Sequence, residues 1–358
     1  MERSELDEFL ATFRSKCERA MRKYLDTTMA RMATVDPVGA QVAKVIRDFS
    51  MNGGKRLRGA LVAIGYHAFS NRDWTGVMQA VISTELFHAF FLIHDDLMDR
   101  SDLRRGSPTI HRVFEKEFRD RGVQAHGAVE HLANSMAILA GDLCCAIAYD
   151  ALLTMPFSAD HIVRTLKHMQ RMVDSTTIGQ VLDMTPRDDP TEETIGKIHL
   201  LKTARYSLEA PLHLGMILAD QSQDGLDAMS RFAIPVGIAF QIRDDLLGIF
   251  GSEEEVGKPV TSDLEEGKET LLTVFARKHA SIKDRARLSA LLGKRGLTRT
   301  DLDDARLIFQ SCGAVAHCET RANVLVDEGK RALEEVPMPE VSRAILNGLA
   351  DYVIRRTI

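Results

Sequence analysis

The chain has 358 residues, of which 45% are hydrophobic and 27% are charged, proportions that are typical of a globular protein and exclude a disordered or fibrous one. Its 46 lysines and arginines against 51 aspartates and glutamates give a net charge of −5, which disfavours a nucleic-acid partner. The longest stretch without a charged residue, from Gly59 to Asn71, has thirteen residues. Because a membrane span needs roughly eighteen, and the N terminus does not resemble a signal peptide, we expect a cytoplasmic protein without a membrane span.

Helical periodicity runs through almost the whole chain. Apolar residues recur at three- and four-residue steps from Phe9 to Tyr24, and again from Ile82 to Ile93 and from Ile198 to Ile217. No segment alternates with period two, and the breaks are short, at residues 52–54, 105–108, 185–190, 251–267 and 336–339. The pattern predicts one all-α domain over residues 1–358, a bundle of roughly ten or more helices.

The cysteines and a group of four histidines suggest no chemistry. Five cysteines form an odd set without a C-x-x-C pair, so we expect reduced thiols in the core: Cys17, Cys144, Cys145, Cys312 and Cys318. Four histidines lack the spacing of a zinc site: His94, His111, His126 and His131.

The first motif with chemical meaning is Asp95-Asp96-Leu97-Met98-Asp99, at the end of an apolar helix. Asp95 and Asp99 are four residues apart and share one helix face, where two like charges repel unless a cation lies between them. Carboxylate oxygens are ligands that magnesium prefers, and magnesium leaves positions open for phosphate oxygens. The alternative is an acidic, solvated helix end.

A second acidic pair, Asp244-Asp245, is again predicted to lie at the end of an apolar helix, and Gln241 precedes Asp244 by one turn. Two such clusters facing each other across a helical cavity would hold several magnesium ions around one diphosphate.

Two basic clusters complete the charge pattern. Lys55 and Arg58 follow a Gly-Gly pair at a three-residue step, so both can point at one anion, and Arg104-Arg105 follows the first acidic motif closely. The alternative is two solvated basic patches.

With these motifs the chain resembles the trans-prenyl diphosphate synthases, the family that includes farnesyl and geranylgeranyl diphosphate synthases. Six motifs appear in the family's order between Gly53 and Lys268: GGKRLRG, DDLMD, RRG, Gly179-Gln180, Lys202-Thr203, and QIRDD followed by GKP and a later lysine. The resemblance implies the isoprenoid synthase fold, a helical bundle around a central cavity, and usually a homodimer.

The resemblance also implies residue roles. Asp95, Asp99 and Asp244 match the family's magnesium ligands, with Asp96 and Asp245 in supporting roles. The family holds several magnesium ions in each site. The residues that match the isopentenyl diphosphate site are Lys55, Arg58, His88 and Arg105. Those that match the allylic diphosphate site are Arg104, Lys202, Gln241, Lys258 and Lys268, with Thr203 beside the reacting carbocation. For His88, a lone histidine on a helix is otherwise more often a core residue.

The second acidic motif departs from the family, because Gly248 stands where many relatives have a third aspartate. This removes one possible outer ligand and leaves Asp244 intact. Lys258 and Lys268 lie in and just beyond the Gly/Pro-punctuated segment 251–267, which would act as a lid over bound phosphates or form a plain surface loop.

The implied activity is prenyl transfer: an allylic diphosphate ionises, isopentenyl diphosphate attacks the cation, and pyrophosphate leaves. A terpene cyclase would share the cavity and the first acidic motif, but it has no need for Lys55, Arg58 and Arg105. A non-catalytic subunit of a heteromeric synthase should have lost one acidic cluster, and both are present.

Product length should depend on Phe90 and Phe91, which precede Asp95 by five and four residues. A ring on the Asp95 face would close the cavity beneath the growing chain; the alternative is that both are ordinary core aromatics. An aromatic pair at these positions resembles C15 producers, whereas the Asp-Asp-Leu-Leu-Gly ending is more similar to C20 producers. We therefore expect farnesyl diphosphate, with geranylgeranyl diphosphate as the alternative.

Overall fold

The computed structural model describes residues 5–70, 72–123, 129–252 and 260–355 of the chain. The prediction of an all-α fold is confirmed. The helices of the first half are α1 (Glu5–Ala33), α2 (Pro37–Met51), α3 (Leu57–Ser70), α4 (Met78–Met98), α5 (Ile110–Asp120), α6 (Val129–Leu153) and α7 (Ala159–Met184). A short 3₁₀ turn, Trp74–Val77, leads into α4.

The second half begins with one continuous helical rod. It consists of α8 (Glu192–Ile198), a π-helical segment (His199–Glu209) and α9 (Ala210–Leu218). The remaining helices are α10 (Gln223–Phe250), α11 (Ser262–Glu265), α12 (Leu271–His279), α13 (Ile282–Leu291), α14 (Arg299–Ser311), α15 (Ala314–Glu334) and α16 (Glu340–Arg355). The predicted breaks at 52–54, 185–190 and 336–339 coincide with the ends of helices.

Two buried cores meet at α3 and α9. In α3, Leu61 belongs to the core built with α10 and α15, while Val62 belongs to the core built with α1, α4 and α6. In α9, Leu212 and Leu214 divide in the same way. These two helices are therefore apolar on opposite faces, as their fully buried sequence requires.

One small β-hairpin interrupts the helices. Leu103–Arg104 pairs antiparallel with Ser107–Pro108, and Arg105 and Gly106 form its turn. Both turn residues have positive φ angles, +53° and +72°. The hairpin therefore places Arg104 at the end of its first strand and Arg105 in its turn.

Two helical stretches, Trp74–Met98 and Val129–Leu153, are long and apolar enough to cross a membrane by length and composition alone. In the first, 61% of the most apolar window is buried inside the protein, and in the second 44%. Core helices of globular proteins meet the same criterion.

All five cysteines are free thiols, and Cys17, Cys144 and Cys318 are buried, in agreement with the sequence prediction.

Candidate active site

A cavity of about 410 Å³ opens between α4, α7, the π segment and α10. Its polar lining includes Asp95, Arg104, Gln180, Asp183, Lys202, Thr203, Gln241, Asp244, Asp245, Asp263 and Lys268. Its apolar lining includes Phe90, Phe91, Leu92, Val181, Met184 and Ile198. An apolar chamber with convergent charges at one side is the usual form of a binding site for a small ligand with a polar head.

The first acidic motif ends α4. The backbone N–H of Asp99 donates to the carbonyl of Asp95 at 2.8 Å, so Asp99 caps the helix and the motif keeps helical geometry. Asp96 is only 1% exposed, and its carboxylate accepts hydrogen bonds from the Arg104 guanidinium instead of facing the cavity. Burial raises the pKa of Asp96 to about 6 against the opposing charge of Arg104. Asp96 therefore contacts Arg104, and its supporting role stays a prediction.

Asp95 and Asp99 are each matched by cations. Asp95 lies 3.5 Å from Arg104 Nη2 and 3.7 Å from Lys202 Nζ. Asp99 lies 2.8 Å from Lys268 Nζ. Burial alone would lower the pKa of Lys202, but Asp95 and Asp183 outweigh burial and raise it. Three of the predicted allylic diphosphate residues therefore contact the first acidic motif.

Asp183 is a site residue that the sequence did not single out. Its carboxylate is 2.5 Å from Lys202 Nζ, and it lies one turn after Gln180 on α7. Gln180 donates to Asp95 Oδ1 at 3.4 Å. The spacing Gly-Gln-x-x-Asp, which puts Gln180 and Asp183 on one helix face, is the signal that would have found it.

The second acidic motif is part of a hydrogen-bonded chain. Thr203 donates to Gln241 Oε1 at 2.6 Å, and Gln241 Nε2 donates to Asp245 Oδ1 at 2.7 Å. On the other side, His199 Nε2 lies 3.1 Å from Asp245 Oδ2. Asp245 is thus held by α10 and the π segment, while Asp244 is exposed and lines the cavity. The sequence suggested that this pair ends its helix. That prediction is wrong, since α10 continues to Phe250.

The π segment explains the Gly-Gln and Lys-Thr motifs together. A Cβ at Gly179 would lie 2.3 Å from the backbone nitrogen of Lys202, so only glycine lets α7 approach the π segment this closely. The N–H of Ala210 bonds to the carbonyl of Arg205, five residues earlier, as a π-helix requires. Such segments occur frequently at functional sites.

The predicted isopentenyl diphosphate residues lie beside the cavity instead of lining it. Arg58 donates to Tyr206 Oη and Ser207 Oγ, both at 2.7 Å, and lies 3.3 Å from His88 Nε2. Burial, with the charges of Arg58 and other arginines, lowers the pKa of His88 well below its usual value. His88 is therefore neutral and accepts the Arg58 hydrogen bond at Nε2.

The other two residues of this group flank the Gly-Gly turn. Arg105 donates to the carbonyl of Asn52 at 2.9 Å, and Lys55 contacts the Tyr352 hydroxyl, with Nζ 4.5 Å from the centre of that ring. Tyr206 lies between these residues and the cavity: its hydroxyl accepts a hydrogen bond from Arg58, and the residue also lines the cavity.

The aromatic residues before the first acidic motif also line the cavity. The ring centres of Phe90 and Phe91 are 4.8 Å apart, and Phe91 packs edge-on against Tyr206 at 5.3 Å. His94 contacts Phe90 at 5.1 Å and the carbonyl of Ile138 at 3.2 Å.

Two predictions extend beyond the described residues. Lys258 lies outside them, together with the other residues of 253–259 in the proposed lid, as does His126 of the rejected zinc set. Within the described ranges, no three His, Cys, Asp or Glu side chains converge as a ready-made metal cage.

The chain is similar to known proteins over most of its length. The sequence profile of the polyprenyl synthetase family matches residues 40–308. The chain is 31% identical over 310 residues to the geranylfarnesyl diphosphate synthase of Aeropyrum pernix, covering 85% of this chain and 91% of that protein. It is 31% identical to the (2E,6E)-farnesyl diphosphate synthase of Mycobacterium bovis, covering 87% of this chain and 82% of that protein.

A solved structure matches almost the entire chain. The geranylgeranyl pyrophosphate synthase of Corynebacterium glutamicum, complexed with isoprenyl diphosphate and magnesium, superposes with a TM-score of 0.91. The two sequences are 32% identical, and the match covers 98% of this chain and 99% of that one.

Proposed function

Because the chain belongs to the polyprenyl synthetase family and is a prenyltransferase, we propose that it condenses isopentenyl diphosphate with an allylic diphosphate and releases pyrophosphate. Its homologues are short-chain isoprenyl diphosphate synthases. The observation that carries the proposal is the meeting of both acidic motifs with Lys202 and Lys268 on one side of an apolar cavity. We further propose that residues 1–358 form one domain that works in the cytoplasm.

The site has the donor chemistry for magnesium. Asp95, Asp99 and Asp244 offer hard carboxylate oxygens, and the first two already face the cations Arg104, Lys202 and Lys268, as carboxylates that need a positive neighbour would. We propose that these three aspartates hold the divalent ions. Bound ions would neutralise diphosphate oxygens and assist departure of the leaving group.

The first chemical step is ionisation of the allylic substrate. Its C1–O bond breaks, both electrons leave with pyrophosphate, and Arg104, Lys202 and Lys268 stabilise that charge in a partly buried site. Phe91 and Tyr206 line the cavity, where their rings would exclude water from the allylic cation. Thr203 supports the cation through its oxygen lone pairs, since its hydrogen is directed to Gln241.

The second step forms the new carbon–carbon bond. Arg58, Lys55, Arg105 and neutral His88 bind the diphosphate of isopentenyl diphosphate and orient its double bond toward C1 of the cation. The electron pair of that double bond forms the new bond to C1, which leaves the positive charge on the adjacent carbon of the condensed chain. Loss of a proton from this cation restores a double bond and gives the product. The released pyrophosphate accepts the proton, because the motifs contain no protein base assigned to this role.

We propose farnesyl diphosphate, C15, as the main product, because Phe90, Phe91 and Tyr206 form an aromatic floor close to the aspartates. Geranylgeranyl diphosphate, C20, is the second candidate. It is favoured by the names of several relatives, including proteins from Saccharolobus solfataricus and Methanosarcina mazei.

We also propose a homodimer. Large apolar side chains on α6 and α7 remain exposed, among them Leu139 at 59% and Ile178 at 55%. A second copy that pairs through these helices would cover them. Light scattering after size exclusion should give twice the mass of one chain. Leu139→Asp should reduce the measured mass to that of a single chain.

The direct test is product analysis by chromatography. The purified chain is incubated with isopentenyl diphosphate and dimethylallyl, geranyl or farnesyl diphosphate, with magnesium or with excess chelator. We expect longer prenyl diphosphates with magnesium only. Asp244→Ala should abolish product, and Asp227→Ala, an exposed change on the same helix, should not. A cyclised hydrocarbon without elongation, or full turnover in chelator, would overturn the proposal.

A further inference from the structure

Gly248 stands where many relatives have an aspartate. The space that a side chain there would take is occupied by a side chain from another element. A Cβ at this position would lie 2.1 Å from Asp263 Oδ2 and 3.2 Å from its Cγ. Both residues line the cavity. The carboxylate of Asp263, on α11, therefore occupies the volume that a side chain at 248 on α10 would need.

Asp263 also belongs to the surroundings of Lys268. The N–H of Lys268 donates to the carbonyl of Asp263 at 3.0 Å, which closes the turn between them. Lys268 Nζ lies 2.8 Å from Asp99 Oδ2, 2.7 Å from Glu266 Oε2 and 3.7 Å from Asp263 Oδ1. Burial alone would lower the pKa of Lys268, but Asp263, Asp99 and other carboxylates raise it well above its usual value. The partly buried ammonium is charged and is held from several sides.

We propose that Asp263 supplies, from α11, the carboxylate that Gly248 lacks, and that it positions Lys268 between the two acidic motifs. Lys268 then reaches Asp99 on α4 while Asp263 rests against α10. The inference rests on the proposed function, since Lys268 is assigned there to the allylic diphosphate. Asp263 is a positioning residue: it acts on the substrate through Lys268.

The proposal gives Gly248 a definite role. The group it would meet is the end of a flexible side chain, so an alanine should displace the Asp263 carboxylate without unfolding the protein. Gly248→Ala and Asp263→Ala should then cause the same defect by the same route, and their effects should not add.

The experiment is a double-mutant cycle on Gly248→Ala and Asp263→Ala in the full chain. Calorimetry gives the Kd for inorganic pyrophosphate with magnesium, and steady-state kinetics gives the KM for each substrate. Each single variant should raise the pyrophosphate Kd and the allylic KM about tenfold, the scale of one lost charge-assisted contact. The KM for isopentenyl diphosphate should stay within about twofold. The double variant should equal Asp263→Ala.

Two further variants separate charge from shape. Asp263→Asn keeps the volume, and should bind pyrophosphate as weakly as Asp263→Ala. Gly248→Asp in the Asp263→Ala background returns a carboxylate to the same space, and should recover most of the affinity.

Additive losses in the double variant, unchanged pyrophosphate binding in either single variant, or no recovery with Gly248→Asp would overturn the role of Asp263. The binding measurements do not depend on turnover. A wild-type chain that binds pyrophosphate but makes no prenyl product would refute the proposed function, and the cycle would still test Asp263.

Discussion

Arg56 shows how single residues shape the basic turn before α3. Its backbone has φ +56°, a left-handed conformation that is uncommon outside glycine. Its guanidinium pairs with Glu85 at 3.3 Å, and both side chains are less than 5% exposed. Glu85 also accepts the N–H of Gly59 at 2.8 Å. This buried ion pair stabilises the turn that carries Lys55 and Arg58. Removing either partner would leave an unpaired charge in the interior, which is strongly destabilising.

At the same scale, Arg58 and Lys202 should serve different substrates. Arg58 contacts Tyr206, Ser207 and His88 beside the cavity, whereas Lys202 contacts Asp95 and Asp183 inside it. Arg58→Ala should raise the KM for isopentenyl diphosphate by about tenfold or more. Lys202→Ala should raise the KM for the allylic diphosphate by a similar factor, because each variant loses one charged contact with its substrate. Initial rates with each substrate varied in turn measure both. Equal weakening of the same substrate in both variants would contradict the assignment.

The residue pattern was sufficient to predict the acidic and basic motifs, because each lies within a few residues on one helix or turn. It was insufficient for contacts across the fold. Asp263 on α11 meets Gly248 on α10, and Lys55 meets Tyr352 almost 300 residues later. His199 was missed because its partner, Asp245, lies on another helix.

At the scale of elements, the π segment is the feature that periodicity could not predict. Eleven residues are too few to separate its wider turn from that of an α-helix, and both present an apolar stripe. Yet this segment brings His199, Lys202, Thr203 and Tyr206 to the same cavity. The ordinary α-helices, by contrast, follow from their apolar spacing.

Gly179→Ala tests the close approach of α7 to the π segment. The new Cβ would lie 2.3 Å from the Lys202 nitrogen and 2.7 Å from its Cα, and backbone atoms cannot rotate away. We expect a loss of about 1–3 kcal/mol in the free energy of unfolding, the usual effect of overpacking. The rate should also fall, because Gln180 and Lys202 must move. Urea denaturation and kcat are the measurements.

Gly196→Ala on α8 is the matched control. A Cβ there meets nothing within 4 Å. In a helix interior this change should stabilise the protein by about 0.5–1 kcal/mol and leave kcat unchanged. Similar destabilisation of both variants would mean that the packing argument for Gly179 is wrong.

At the scale of the whole molecule, two histidines between α7 and α9 link stability to pH: His213, which is buried, and His168, which is partly buried. His168 donates to the carbonyl of Ala210 at 3.1 Å, and its ring lies 5.5 Å from that of His213. Burial lowers the pKa of both to about 4. The folded chain therefore keeps them neutral in a range where the unfolded chain takes up protons.

The stability these histidines contribute is full above pH 6.5 and is lost as pH falls toward 4. We expect a loss of about 1–2 kcal/mol per histidine between pH 6.5 and 5. Urea denaturation across this range measures it. The double variant His168→Gln with His213→Gln should lose less stability with acid than the wild type. Parallel curves would assign the acid sensitivity to other groups.

The central cavity, which the bundle builds from both halves of the chain, should set the product length. Diphosphate held at Asp95 directs the growing chain back along α4, and Phe91 lies four residues earlier, roughly 6 Å down the axis. Since Phe90, Phe91 and Tyr206 pack together there, removing rings should extend the chamber. Phe91→Ala, and more so the double variant with Phe90→Ala, should lengthen the main product by one or more five-carbon units. Phe118→Ala, a partly buried aromatic of α5 outside the cavity lining, should leave the product unchanged. Chromatography of the dephosphorylated products decides: an active, folded double variant with the wild-type product would place the floor at other residues.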